Sequence, residues 1–216
     1  MRQILIKLFF YFFLFFFKFS YCYSEQFVKE FQLNLLDDYS FSSGKNIYHA
    51  IIEIPSGSNE KWEITKDGKK IQREFNNGVP RTINYLGYPA NYGFIPQTLV
   101  SFDQGGDGDA VDVLVLGQKL EIGSMVKIRI IGMLSLKDGG LIDNKVIAVL
   151  HDSNLSSQIS SIGDFEKSYP GLLNIVKIWF ENYKGYKLET FGFLEKNITK
   201  QFIIKANKNY LLKNKF

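Results

Sequence analysis

The chain has 216 residues, 45% of them hydrophobic and 22% charged, with a formal net charge of +4. This is a globular composition, long enough for one well-buried domain. Residues 1–24 hold Arg2, Lys7 and Lys18 and no acid, and without them 23 basic residues face 22 acidic ones, which leaves no electrostatic case for a nucleic-acid partner.

Residues 1–24 read as a signal peptide. Arg2 and Lys7 form a basic start, an apolar stretch runs over residues 8–17, and Cys22 and Ser24 are small residues suited to cleavage after Ser24. The apolar stretch is short for a bilayer span and Lys18 interrupts it. The expectation is export to a periplasm or to the medium. The alternative is an uncleaved anchor, and only a retained leader would bring the chain to a membrane. Cys22 is the only cysteine, so a chain cleaved after Ser24 has no disulfide and no thiol nucleophile.

Residues 25–46 are polar and read as an extended arm or loop, with the main domain expected over residues 47–216. "IYHAIIEIP" is strand-like and stops at Pro55. "KWEITKDGKKIQREFNNG" predicts two strands joined at Asp67-Gly68, with a second turn at Asn77-Gly78. "PRTINYLGYPANYGFIPQT" is rich in Pro, Gly and Tyr and reads as irregular chain lining a surface. "VDVLVLG", "SMVKIRIIGMLSL" and "KVIAVL" are three apolar strands. Helices are expected late. Leu172, Val176, Trp179 and Tyr183 share one helical face, as do Ile198, Phe202, Ala206 and Tyr210. Strands followed by helices predict an α+β fold, a small twisted OB-like β-barrel flanked by two or more mostly C-terminal helices.

The stretch "GGDGDAVDVLVLG" crowds Asp107, Asp109 and Asp112 within six residues. Brought together and partly buried, they would repel one another by several kcal/mol. Such a group suits hard divalent cations, which take oxygen ligands. Asp138 and Asp143 in "KDGGLIDNK" could complete the same site. With only His49 and His151 available, zinc is disfavoured. An EF-hand fails at Val111, Asp112 and Gln118, and a calcium-binding nonapeptide repeat fails at Ala110 and is present in one copy. A solvated turn is the plain alternative.

"DGDAVDVLV" closely resembles the Asp-x-Asp-x-x-Asp signature of the family I soluble inorganic pyrophosphatases, and the likeness extends in order from residue 47 to 193. Glu53 matches that family's early glutamate, and "KWEI" its Lys-x-Glu strand, giving Lys61 and Glu63. Arg81 matches its arginine, with Arg73 a rival because the spacing varies there, and Tyr92 matches its tyrosine. Asp138, Asp143 and Lys145 match the Asp-x4-Asp-x-Lys loop, and "ENYKG" the late pair Tyr183 and Lys184. Ala110 departs from the usual Pro and Trp62 from a smaller residue.

The resemblance implies Mg²⁺-dependent hydrolysis of pyrophosphate, with several ions per site and Mn²⁺ able to substitute. Asp107, Asp112 and Asp143 would hold one ion and Asp112 would bridge to a second. Asp138 and Asp143 would hold another that arrives with substrate, while Glu53 reaches the substrate-side metal water. A hydroxide between two ions would attack, with Asp109 as general base. Lys61, Arg81 and Lys184 would bind phosphoryl oxygens and Tyr92 and Tyr183 donate hydrogen bonds. Lys145 would balance the acids and the leaving phosphate, with Glu63 as a hydrogen-bonded support. It also implies a homo-oligomer, a hexamer by the example of bacterial members. The competing reading is an exported Ca²⁺-stabilised β domain that binds a partner without turnover. A third is an enzyme acting on polyphosphate or nucleotide esters. His49 and His151 receive no role. Asn197-Ile198-Thr199 is a glycosylation sequon or a helix start.

Overall fold

The computed structural model describes residues 26–214; the expected leader and its cleavage site lie outside them. The arm carries two short strands, β1 (Val28–Glu30) and β2 (Ser42–Gly44). β3 (Ile47–Ile54) ends at Pro55, and the hairpin of β4 (Trp62–Ile64) and β5 (Lys70–Arg73) turns where Gly68 takes a φ of +67°. A smaller hairpin, β6 (Phe75–Asn76) and β7 (Val79–Pro80), turns on Asn77 and Gly78, both at positive φ, the conformation for which Asn-Gly is selected. There follow β8 (Asn91–Ile95), β9 (Val111–Leu116), β10 (Met125–Asp138), β11 (Leu141–Ile142) and β12 (Lys145–Leu150). Helices α1 (Asn154–Gln158), α2 (Ile162–Ser168) and α3 (Leu172–Asn182) come next, then β13 (Glu189–Glu195) and α4 (Lys196–Lys213).

Five of these strands close on themselves in the circuit β3–β8–β9–β12–β10 and back to β3, an OB-like barrel. All pairings in it are antiparallel except β9 with β12, which run parallel from Val113↔Val146 to Val149↔Leu116. The circuit closes because β10 is 14 residues long. Its first residues pair with β3 and its later ones with β13, while a register shift between Ile130 and Gly132 bends it along β12. Alternate residues of the strands feed two cores. Leu114, Leu116, Ile147 and Val149 join one with α3 and the β4–β5 hairpin. Val113, Val115, Val146 and Ala148 join the other with Ile203 and Ala206 of α4.

The α+β fold with its barrel and late helices matches expectation, and several local readings are corrected. The arm is folded. β1 pairs with β5, β2 pairs with β3, and Leu35 is buried in the core. The open edge of the β4–β5 hairpin recruits it, a contact that no local pattern announces. "NYGFI" forms strand β8 in a stretch expected to be irregular, because its neighbours β3 and β9 supply partners on both edges. The short α1 and α2, capped by the side chains of Ser153 and Ser161, and strand β13 have no clear periodicity. The buried side of α4 is Thr199, Ile203, Ala206 and Asn207, one step round from the expected face, and Ile198 is half exposed. Docking sets that rotation: Asn207 Nδ2 donates to Gln97 O at 2.7 Å and the Leu99 amide donates to Ala206 O at 3.0 Å. Asn197-Ile198-Thr199 is the first turn of this helix, with the Thr199 hydroxyl inside it on Glu195 O.

Candidate active site

Strand alternation gathers the chemistry at one end of the first core. Asp112 lies on β9 with the same parity as Leu114 and Leu116, and Lys145 on β12 with that of Ile147 and Val149. The parallel register Val113↔Val146 then sets Asp112 and Lys145 side by side. The Lys145 ammonium, with its side chain 3% exposed, donates to both Asp112 and Asp143. Glu53 sits where the register of β3 shifts against β8, between Ile52 and Ile54; it has the parity of Ile51, on the side of the first core, and the bulge brings Ile54 to that side as well. Its Oε1 accepts from the Ile64 amide at 2.6 Å, tying barrel to hairpin.

The two acidic loops are stitched together by backbone. The Ile142 amide donates to Gly105 O at 2.7 Å, while within the first loop the Gly108 amide donates to Val100 O at 2.8 Å. The first loop turns too tightly for side chains. A Cβ on Gly106 would stand 2.4 Å from Val100 O, and Gly108 holds φ +86° under the Phe102 ring. Asp107 Oδ1 accepts from the Asp109 amide at 3.0 Å, and the Asp109 side chain is left at the surface. Asp138, at the end of β10, accepts from Lys184 and from the Tyr186 hydroxyl.

Opposite the acids stand the cations. Lys61 meets Glu63 at 2.9 Å, and Arg81 Nη1 reaches both carboxylate oxygens of Glu74 at 2.8 Å. Arg73, the rival, is only 6% exposed and is turned to Glu60 and the Arg81 carbonyl, while Arg81 pairs with Glu74. Beside Lys61 and Lys145 lies an aromatic floor. The Tyr92 ring has Lys61 Nζ and Lys145 Nζ each 5.6 Å from its centroid. Tyr88 packs on Tyr92 at 5.4 Å and on Trp179 at 4.6 Å, and Tyr183 stacks on Trp179 at 4.5 Å. α3 brings Trp179, and Tyr183 just past its end, to this floor, and is pinned to the 81–90 segment by Trp179 Nε1 donating to Leu86 O at 2.8 Å.

Partial desolvation within the loop raises the Asp109 carboxyl above its ordinary range, and the charges of Asp107 and Asp112 add to the effect. Burial likewise raises Asp143 against the pull of Lys145, and takes Glu53 to about 8. Lys145 is held up, against burial, by Asp112 and Asp143. Burial pushes Tyr183 to about 12, and Tyr88 and Tyr92 also rise. All three phenols therefore remain hydrogen-bond donors at neutral pH.

Among the described residues no three of His, Cys, Asp and Glu stand together at metal-ligand spacing. Asp112, Asp143, Asp138 and Glu63 are each held by a lysine. The residues nevertheless fit a hard divalent cation. Their donors are all oxygen, and the crowding of Asp107 and Asp112 that adds to the raising of Asp109 is what such a cation offsets. His49 and His151 lie elsewhere, His49 Nδ1 2.7 Å from the Ser40 carbonyl and His151 beside Asp152. Sequence reasoning misses Tyr88, Glu74 and Tyr186. Tyr88 carries a signal, four residues before Tyr92 in "YPANY"; Glu74 and Tyr186 carry none.

A family model described as inorganic pyrophosphatase matches residues 50–211. The mitochondrial inorganic pyrophosphatase of Saccharomyces cerevisiae is 35% identical over 185 residues, covering 74% of this chain and 60% of that protein. The inorganic pyrophosphatase of Campylobacter jejuni is 35% identical over 171 residues, covering 76% of this chain and 92% of that protein. This chain spans 39% of the matching Caenorhabditis elegans protein, inorganic pyrophosphatase 1, at 36% identity over 69% of its own residues. Among solved structures, an N-terminally truncated vacuolar soluble pyrophosphatase of Trypanosoma cruzi in complex with PPi superposes with a TM-score of 0.82 at 27% identity, covering 87% of this chain and 82% of that one.

Proposed function

The chain belongs to the inorganic pyrophosphatase family, and from that premise we propose that it hydrolyses pyrophosphate to two orthophosphates with bound Mg²⁺. One observation carries the reading: Lys145, held by Asp112 and Asp143, and Lys61 each lie 5.6 Å from the centroid of the Tyr92 ring, a concentration of acids and ammonium groups that fits a small, highly charged anion held with metals.

Bound Mg²⁺ would neutralise substrate charge and lower the pKa of the attacking water. Asp107, Asp112 and Asp143 would hold it, with Asp138 and Glu53 on the substrate side. Asp109 takes the proton from the attacking water; its raised affinity for a proton and its place at the surface of the loop support that role. The cations are paired internally at rest, Lys61 with Glu63, Arg81 with Glu74, Lys184 with Asp138 and Lys145 with Asp112 and Asp143. The acids would be freed to hold the metal, and the ammonium and guanidinium groups would be freed to bind phosphoryl oxygens. Tyr92 and Tyr183 add phenolic donors. Most of the acceleration comes from positioning and charge stabilisation.

Phosphate release measured with Mg²⁺ and then with Ca²⁺ tests the reading. Turnover with Mg²⁺ and its suppression by Ca²⁺ are expected. A folded, Ca²⁺-binding chain with no turnover under either metal would instead identify the binding module. Polyphosphate and nucleotide esters in the same assay define the substrate range. We also propose export, supported by the basic-apolar-small pattern of residues 1–24, and homo-oligomerisation, supported by the family likeness. N-terminal sequencing and sedimentation test these two.

A further inference from the structure

Lys61 and Arg81 come from different segments, yet their backbones close a ring with Glu74. The Lys61 amide donates to Arg81 O at 3.3 Å, the Arg81 amide to Glu74 O at 2.7 Å, and the Glu74 amide to Lys61 O at 3.0 Å. Beneath this ring lies Arg73, 6% exposed. Its Nη2 donates to Arg81 O at 2.9 Å and its Nη1 to Glu60 Oε1 at 2.9 Å. Its guanidinium lies 5.7 Å from the Trp62 ring centroid, and Trp62 Nε1 donates to Glu60 Oε2 at 3.0 Å. Glu60 is in turn bridged to Thr82, the residue after Arg81. The guanidinium fork thus reaches the segment before Lys61 and the carbonyl of Arg81 at once, which an ammonium cannot do in one rigid geometry.

We propose that Arg73 is a positioning residue for substrate binding: buried under the Lys61–Glu74–Arg81 ring, it fixes the two anion-binding side chains at one separation. It never meets substrate itself and acts through the Arg81 carbonyl and through Glu60. This rests on the pyrophosphatase reading of the site. The bulky Trp62, a departure from the family pattern, forms one wall of the clamp.

The test is pyrophosphate affinity by calorimetry in Ca²⁺, which requires no turnover, together with the thermal midpoint and Mg²⁺-dependent phosphate release. Arg73→Met keeps length and apolar packing on Trp62. It leaves Glu60, whose side chain is 52% exposed, free to be solvated, so the fold is retained. Arg73→Met is expected to weaken pyrophosphate about tenfold or more, and Arg73→Lys to fail to restore it. In Arg73→Met/Arg81→Ala the combined loss is expected to fall short of the sum of the two single losses, since part of the effect of Arg73 passes through the Arg81 side chain. If Arg73→Met does not fold, Glu60→Gln, which weakens the same clamp from its exposed end, is expected to lower affinity by a smaller factor. Unchanged affinity in the folded variant, full restoration by lysine, or additive losses in the double variant would each overturn the inference. An absence of wild-type turnover would overturn the proposed function, while the affinities in Ca²⁺ would still decide the role of Arg73.

Discussion

The amide of Ile142 donates to the carbonyl of Gly105 at 2.7 Å, and this bond fastens the loop bearing Asp138 and Asp143 to the loop bearing Asp107 and Asp109. The two loops lie more than thirty residues apart in sequence. Ile142→Pro removes the donor. We expect the fold to survive, since β11 is a two-residue edge strand. The Mg²⁺ concentration for half-maximal activity should rise about fivefold, in line with one lost hydrogen bond of about 1 kcal/mol. A metal titration of turnover reads this directly.

Asp109→Asn keeps the shape of the side chain and removes its basicity. Since its backbone amide, not its carboxylate, is what Asp107 holds, the loop should stand. Turnover should fall by about 10²-fold or more while metal affinity changes little. Near-normal rates would refute its role as base.

Lys145→Met leaves Asp112 and Asp143 facing one another with no cation, in a place where the lysine side chain is 3% exposed. Removing one partner of a buried pair costs about 3–5 kcal/mol. Urea unfolding of the metal-free variant should show that loss, and added Mg²⁺ should recover part of it by taking the place of the ammonium.

Glu53 carries the clearest pH signature. Its carboxyl, raised from 4.5 to about 8 by burial, binds its proton more tightly in the folded than in the unfolded chain. Its contribution is therefore complete below pH 4.5 and is lost as pH rises through 8. The metal-free protein should lose thermal stability across that interval. Glu53→Gln, which retains the acceptor for the Ile64 amide, should flatten the profile. An equally steep decline in the variant would assign the effect to other groups.

Gly93 lies where β8 crosses β3, and a Cβ there would fall 1.9 Å from Ile51 O. The obstacle is backbone on a neighbouring barrel strand, so it cannot yield as a side chain would. Gly93→Ala should destabilise by about 3 kcal/mol. Activity should fall as well, because the displaced strand carries Tyr92. Chemical denaturation alongside phosphate release distinguishes this from a purely local loss.

The alphabet of the site and most of the strands are legible in the residues alone. Runs such as "VDVLVLG" and "KVIAVL" are too apolar to be anything but buried, and the ordered acids, cations and tyrosines of the resemblance already name the chemistry. Turns are legible for the same local reason: Asp67-Gly68 and Asn77-Gly78 encode positive φ in the residues themselves. Features that depend on distant partners are settled only once the chain has folded. β8 is a strand because β3 and β9 flank it. The arm is ordered because β5 offers an edge. α4 buries Thr199 rather than Ile198 because the 97–99 segment docks on it. The choice between Arg73 and Arg81 belongs here too. Both are arginines eight residues apart in similar surroundings, and only the tertiary structure buries Arg73 against Glu60 and Trp62 while leaving Arg81 paired with Glu74. Local chemistry is written in neighbouring residues; the free energy that selects among its uses comes from contacts closed across the fold.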